Sequence, residues 1–145
     1  MRIRQLSIFI ENKPGHLRAA CRLLADAEID VESMALADTE QFGILRFIIK
    51  DWSKAKQVLE NEGLIVRESD LLAVSVADRP GGLADVLEVL DQTKINIEYM
   101  YGYASLIQGK AILFFRFNDS DIDEVVELLQ KNNIQLIPNS ELFRS

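Results

Sequence analysis

Disulfides are excluded by a first count. The 145-residue chain has one cysteine, Cys21, and hence no internal partner for it. One histidine, His16, is equally limiting. No serine or cysteine pattern accompanies it that would make it the base of a nucleophilic triad, and a lone histidine with a lone cysteine falls short of a metal site. The acidic run Asp119, Asp121, Asp123, Glu124 lacks the glycine and distal glutamate of a calcium loop, so helix-dipole complementarity explains it better. No apolar run approaches the roughly 18 residues that span a bilayer. Met1 to Gln5 runs straight into a strand pattern with no apolar leader. The expectation is a non-enzymatic cytoplasmic protein with no cofactor, no metal and no membrane contact. Basic stripes are missing too. The net charge of −7 divides into −2 over residues 1–70 and −5 over residues 71–145. Nucleic acid is therefore not expected as a partner, because phosphate neutralisation supplies much of that affinity.

What the chain does have is a repeated turn. Glu11-Asn12-Lys13-Pro14-Gly15-His16-Leu17 stands between an alternating apolar run and a run with helical spacing, and it is echoed 66 residues later by Ala77-Asp78-Arg79-Pro80-Gly81-Gly82-Leu83. Asn12 and Asp78 are candidate helix caps, with short side chains that accept from free backbone N–H groups. Pro14 and Pro80 preset φ near the helix entry. Gly15 and Gly81, without a Cβ, let another molecule approach the main chain. The helix N-terminus that follows offers unpaired N–H groups and partial positive charge, which suits a carboxylate or phosphate.

Around the turn, Leu6, Ile8 and Ile10 alternate as a half-buried strand, and Leu17, Ala20, Cys21 and Leu24 mark one helical face with Cys21 as a core thiol. Ile29 and Val31 open a second strand. Asp38 to Gln41 is a polar turn into a third strand, Gly43 to Ile49. Trp52, Ala55, Val58 and Leu59 form a second helix ended by Gly63, and Leu64 to Arg67 is a short fourth strand. Leu72, Val74, Val76, then Leu83, Val86, Leu87, Leu90, then Ile95 to Met100 restate the first half. Arg46 aligns with Arg116 and Gly63 with Asn133, which places four extra residues in the second hairpin near Ser105 to Gly109. The second half closes with a helix from Ile122 to Gln130 and a strand from Ile134 to Ile137. Glu68-Ser69-Asp70 is the polar break between halves. The order β-α-β-β-α-β, met twice, predicts an α+β protein of two tandem ferredoxin-like units, residues 1–70 and 71–145, each a four-stranded antiparallel sheet with its helices on one face. Units this small are marginal alone, so an oligomer is expected. Ile44, Ile48, Ile112 and Phe114 make the other sheet face too apolar for open water. Tyr99, Tyr101 and Tyr103 stand where the first unit has Ser33, Ala35 and Ala37, a large-against-small match suited to packing in a homodimer.

The stretch Leu6 to Met34, with Glu-Asn-Lys-Pro-Gly-x-Leu, Ile-Asp-Val-Glu-Ser-Met and then Thr39-Glu40, resembles an ACT domain, a small regulatory module that binds amino acids. This first unit is especially similar to the ACT domain of acetolactate synthase regulatory small subunits. Asp78-Arg79-Pro80-Gly81 with Ile95-Asn96-Ile97 resembles the general ACT pattern. The resemblance implies a non-catalytic tandem ACT protein. It also implies a free amino acid held where the turn after the first strand meets the start of the second, near a unit-to-unit interface. The implied residues are Asn12, Lys13, Gly15, His16 and Leu17 with Asp30 and Val31 in one unit. In the other they are Asp78, Arg79, Gly81, Gly82 and Leu83 with Asn96 and Ile97. Asp30 and Asp78 each stand where many members carry asparagine. A second implied role is that of an interaction subunit docking on a biosynthetic enzyme.

Overall fold

The computed structural model describes residues 1–11, 13–38, 42–104 and 109–143. The chain packs as two compact units, Arg4–Ser69 and Asp70–Ser145 together with Met1–Ile3. In the first, β1 (Arg2–Glu11), α1 (His16–Asp26), β2 (Ser33–Asp38), β3 (Phe42–Ile48) and α2 (Trp52–Asn61) lead into the opening residues of β4 (Val66–Ala77). β3 pairs antiparallel with both neighbours, Leu6 and Met34 lying opposite Phe47. Alternation on β1 sends Leu6, Ile8 and Ile10 to the helix side, where they meet Leu45, Phe47, Ala20, Leu24, Ala55 and Leu59 in one buried cluster. Each fully buried leucine or phenylalanine of such a cluster contributes roughly 1.5–3 kcal/mol.

The second unit repeats the plan with the rest of β4, then α3 (Gly82–Leu90), β5 (Tyr99–Ala104), β6 (Lys110–Arg116), a 3-10 turn (Asp119–Asp121), α4 (Ile122–Lys131) and α5 (Asn139–Leu142). β6 pairs antiparallel with β4 and β5. Leu72, Val74, Val76, Val86, Leu90, Phe115, Phe117, Val125 and Leu129 form its core. Leu136 bridges Val74, and the Ser75 N–H donates to the Gln135 carbonyl at 2.9 Å, so Ile134 to Ile137 is a single bridge rather than a full strand. Each unit is ferredoxin-like.

The sequence pattern misplaces several boundaries, each for a physical reason. Glu68-Ser69-Asp70 holds the boundary between the two units but does not interrupt the strand. These residues lie inside a continuous 12-residue β4, because the charges of Glu68 and Asp70 are matched from β1 and α2. Glu68 accepts from Lys56 Nζ at 2.7 Å and pairs with Arg4, whose guanidinium stacks 4.6 Å over Trp52. Asp70 pairs with Arg2 at 3.4 Å. The buried face of α1 is centred on Ala20 and Leu24, so Leu17 is 37% exposed and Cys21 is half-buried rather than a core thiol. Ile29 and Val31 precede β2, which starts at Ser33, and Ile95 and Ile97 precede β5, which starts at Tyr99. Those residues do pack against the two cores, so their apolar pattern reported burial and not strand.

The repeat offset also needs correction. Leu6 faces Phe47 and Leu72 faces Phe115, so β3 and β6 correspond at 68 residues and Arg46 is the counterpart of Phe114, not of Arg116. Gly63 and Asn133 do correspond, with positive φ of 83° and 60°. Two of the four extra residues therefore fall before β6 and two between β6 and α4, beside the 3-10 turn. The helix caps are Gly15 and Gly81 themselves. Asp78 stands outside α3, its N–H donating to the Gly109 carbonyl at 2.9 Å. Asn12 and the turn residues Thr39 to Gln41 lie outside the described residues. On the sheet face away from the helices, Ile48, Ile112 and Phe114 are buried, and Tyr101 packs its ring 5.4 Å from that of Phe114. No helix among the described residues is long and apolar enough to cross a membrane.

Candidate functional site

The two turns are the same object built twice. Gly15 has φ 88° and ψ −16°, Gly81 has φ 87° and ψ −9°, a left-handed conformation that costs any residue with a Cβ about 1–2 kcal/mol. The Lys13 N–H donates to Glu11 O at 2.8 Å and the Arg79 N–H to Ala77 O at 3.0 Å. Ala19 and Asp85 donate back to the carbonyls of Gly15 and Gly81, each at 2.9 Å. Even the flanking leucines agree: Leu17 and Leu83 are both 37% exposed. The first helical amides, of His16 and Gly82, donate back to Lys13 O at 3.3 Å and Arg79 O at 3.0 Å, and a glycine cap has no side chain with which to bond the amides that follow.

Side chains around the turns differ. Lys13 pairs with Glu11 at 2.8 Å, and that hydrogen bond holds the Glu11 carboxyl below its ordinary range and raises the Lys13 ammonium. Arg79 folds across the second turn, donating to Pro80 O at 3.0 Å and to Asp85 at 2.8 Å. Gly82 is buried, and a Cβ there would overlap the Ala77 carbonyl oxygen and stand 3.4 Å from Val76 Cγ1. Its counterpart His16 is exposed.

A cavity of about 480 Å³ opens beside α1. Ile10, Ala19, Ala20, Leu23 and Leu64 give it an apolar lining, and Glu11, His16 and Glu62 are its ionisable groups. A smaller one, about 240 Å³, lies at the far end of α3 between Leu87, Leu90 and Asp91 and the loop Ile95 to Ile97. Of the expected site residues, His16 lies in the first cavity, and Asn96 and Ile97 in the second. Lys13, Gly15 and Leu17 cluster at the start of α1. Asp30 is exposed after its end and accepts the Val31 N–H at 3.0 Å, while Val31 packs on the core. The 11 residues of α1 rise about 16 Å, so within a unit the turn and the strand start sit at opposite ends of a helix. Asp78, Arg79, Gly81, Gly82 and Leu83 are separated from Asn96 and Ile97 in the same way by α3. Sequence reasoning missed Ala19, Leu23, Glu62 and Leu64. The available signal was Ala19-Ala20, small where the other repeat carries Asp85-Val86. Among the described residues no group of three or more metal-ligating side chains gathers.

A crystal structure of a protein from Bacteroides thetaiotaomicron matches with 34% identity and a TM-score of 0.91, over 100% of this chain and 98% of that one. The regulatory subunit of aspartate kinase from Thermus thermophilus, in its ligand-free form, is 17% identical with a TM-score of 0.64, over 89% and 91% of the two chains, which is a likeness of fold. No curated protein matches. The model of the ACT domain pair matches residues 1–144, and the chain therefore belongs to the family of paired ACT domains.

Proposed function

We propose that this protein is a non-catalytic regulator that binds a free amino acid at its strand-to-helix turns. The observation that carries the reading is the duplicated left-handed glycine turn, which leaves the helix amides after the first without a side-chain cap in both units, with closely similar dihedrals and the same hydrogen bonds. Such amides suit an α-carboxylate. The family is one of regulatory modules rather than catalysts. Residues at the turns, Asn12, Lys13, Gly15, His16 and Leu17 and their counterparts Asp78 to Leu83, are the proposed contacts. Pairing into a homodimer is part of the proposal, and Asp30, Val31, Asn96 and Ile97 are kept among its proposed contacts. Thermal shift or calorimetry against the twenty amino acids tests it. Ligand at a hundred times its dissociation constant adds about 2.7 kcal/mol of stability, so no shift with any of them at millimolar concentration would end the reading.

A second reading, an interaction subunit of an amino-acid biosynthetic enzyme, has one observation in its favour. In the first unit Phe9, Phe42 and Ile65 are 39%, 52% and 67% exposed, whereas the matching positions of the second carry Ser75, Lys110 and Gln135. The second repeat folds without apolar groups at these positions, and a docking surface would use them. Affinity capture from a native lysate separates the readings. Recovery of the chain alone, with and without amino acids, would count against the subunit.

A further inference from the structure

The two repeats share a turn but differ in what lies behind it. In the second repeat Gly82 lets α3 lie against the Ala77 carbonyl, and buried Val86 packs beneath. Asp85 sets the protein's own carboxylate in the first turn of α3, tied to Arg79 at 2.8 Å. An outside carboxylate would meet that charge. In the first repeat the same three positions hold His16, Ala20 and Ala19, and no acidic residue stands in the first turn of α1. A Cβ at His16 requires α1 to stand further from its strand than α3 does, and the two alanines leave the space behind it open. The cavity of about 480 Å³ is the result, within the range of about 300–1,000 Å³ that small-molecule sites occupy. Its rim carboxylates, Glu11 and Glu62, are Ala77 and Asn132 in the other repeat.

Resting on the proposed amino-acid binding, we infer that the ligand enters this helix-side cavity of the first repeat alone, and that it is an amino acid with an uncharged apolar side chain. Its carboxylate meets the uncapped amides after His16 at the start of α1, beside Lys13. Its ammonium is drawn to Glu11 and Glu62, and its side chain covers Ile10, Ala20, Leu23 and Leu64. An acidic side chain would bring a second carboxylate towards Glu11 and Glu62, and a basic one would carry its charge onto the apolar floor. The cavity lies within one unit, on the helix side, and uses neither Asp30 nor Val31.

Calorimetry of the full chain with L-leucine, L-phenylalanine, L-aspartate and L-lysine tests this. Leucine or phenylalanine should bind at one site per chain, at least tenfold tighter than aspartate or lysine. Ala19→Leu, at an exposed helical position that tolerates leucine, should fill the cavity and weaken that binding at least tenfold with the melting temperature of the free protein unchanged. Asp85→Leu, the matching change in the second repeat, should leave affinity as it was. Two sites per chain, a preference for aspartate or lysine, or wild-type affinity in Ala19→Leu would each overturn the inference while leaving an amino-acid sensor standing. No heat with any of the twenty amino acids would overturn both.

Discussion

Gly82→Ala sets two physical effects against each other with opposite signs. Gly82 is the first residue of α3, and helix propensity alone says that alanine should stabilise by up to about 1 kcal/mol. Packing says the reverse. The new Cβ would overlap the Ala77 carbonyl oxygen, stand 3.0 Å from its carbon and 3.4 Å from Val76 Cγ1, against carbon contacts that are optimal at about 3.5–4.0 Å. The obstacle is strand backbone, paired with Lys110 at the end of the β4–β6 ladder, so the helix must back off by on the order of 1 Å. Overpacking of this kind typically costs about 1–3 kcal/mol, and we expect a net loss of roughly 2 kcal/mol. Gly81→Ala is the control. Its Cβ would meet nothing nearer than Arg79 Nη1 at 3.6 Å, but φ is 87°, so about 1–2 kcal/mol is lost to conformation alone. Asparagine separates the causes, because it tolerates the left-handed region. Gly81→Asn should recover most of the loss, and Gly82→Asn should recover none. Urea denaturation followed by circular dichroism, with unchanged slopes, reads all four variants. A neutral or stabilising Gly82→Ala would refute the close approach of α3 to β4, and with it the contrast between the two turns.

Other consequences are simpler to state. Phe47→Ala, at a wholly buried position of the first core, should cost about 3–5 kcal/mol in the same denaturation experiment. The Glu68 carboxyl is held below its ordinary 4.5, first by the hydrogen bond from Lys56 and also by Arg4. A depressed folded-state value means stability that is present above pH 4.5 and lost as pH falls through the folded value. Glu68→Gln should therefore remove part of the acid sensitivity that sets in as pH falls below the ordinary carboxylate range, which melting curves against pH would show. Asn133→Gly, at φ 60°, should be neutral to stabilising by up to about 1 kcal/mol, as Gly63 already shows what that corner prefers. Gly15→Val should weaken amino-acid binding more than Gly81→Val, and equal losses in calorimetry would contradict a site confined to the first repeat.

How much of this was legible in the sequence depends on which force writes the pattern. The repeat, the ferredoxin-like order and the two cores follow from local periodicity, and they stand because Leu6, Ile8 and Ile10 must alternate on a strand while Ala20 and Leu24 must stack on a helix. Strand ends were not legible. Ile29, Val31, Ile95 and Ile97 are apolar because they cover a core, and nothing local distinguishes a buried loop from a buried strand. The unbroken β4 was hidden for a different reason. Glu68 and Asp70 look like a break until Lys56, Arg4 and Arg2 are seen to neutralise them from elements 12, 64 and 68 residues away. The turn was legible as chemistry, and its geometry is glycine's. The cavity was illegible, because it is set by how far a helix stands from a strand.

That last distance is also the reason a duplicated module can hold unequal sites. Duplication copies the turn, and the copied turn survives here within 1° in φ and 7° in ψ. Helix offset is not copied with it, because a single residue at the helix start decides it. Glycine at 82 allows contact with backbone, and on the inference drawn above the Cβ of His16 holds α1 off. Once α3 lies down, Val86 can fill the space behind it, and Asp85 pairs with Arg79 across the turn. With α1 held off, alanines at 19 and 20 leave that space to something else. Closely similar backbones at the two turns are thus compatible with one repeat that shapes a cavity and one that closes on itself. Installing the difference should be correspondingly cheap: His16→Gly with Ala20→Val in the first repeat copies the second. If the offset is the cause, this double variant should fold, melt no lower than the native chain by more than a few degrees, and lose the cavity's ligand. Retained binding would place the cause of the asymmetry elsewhere than in the helix start.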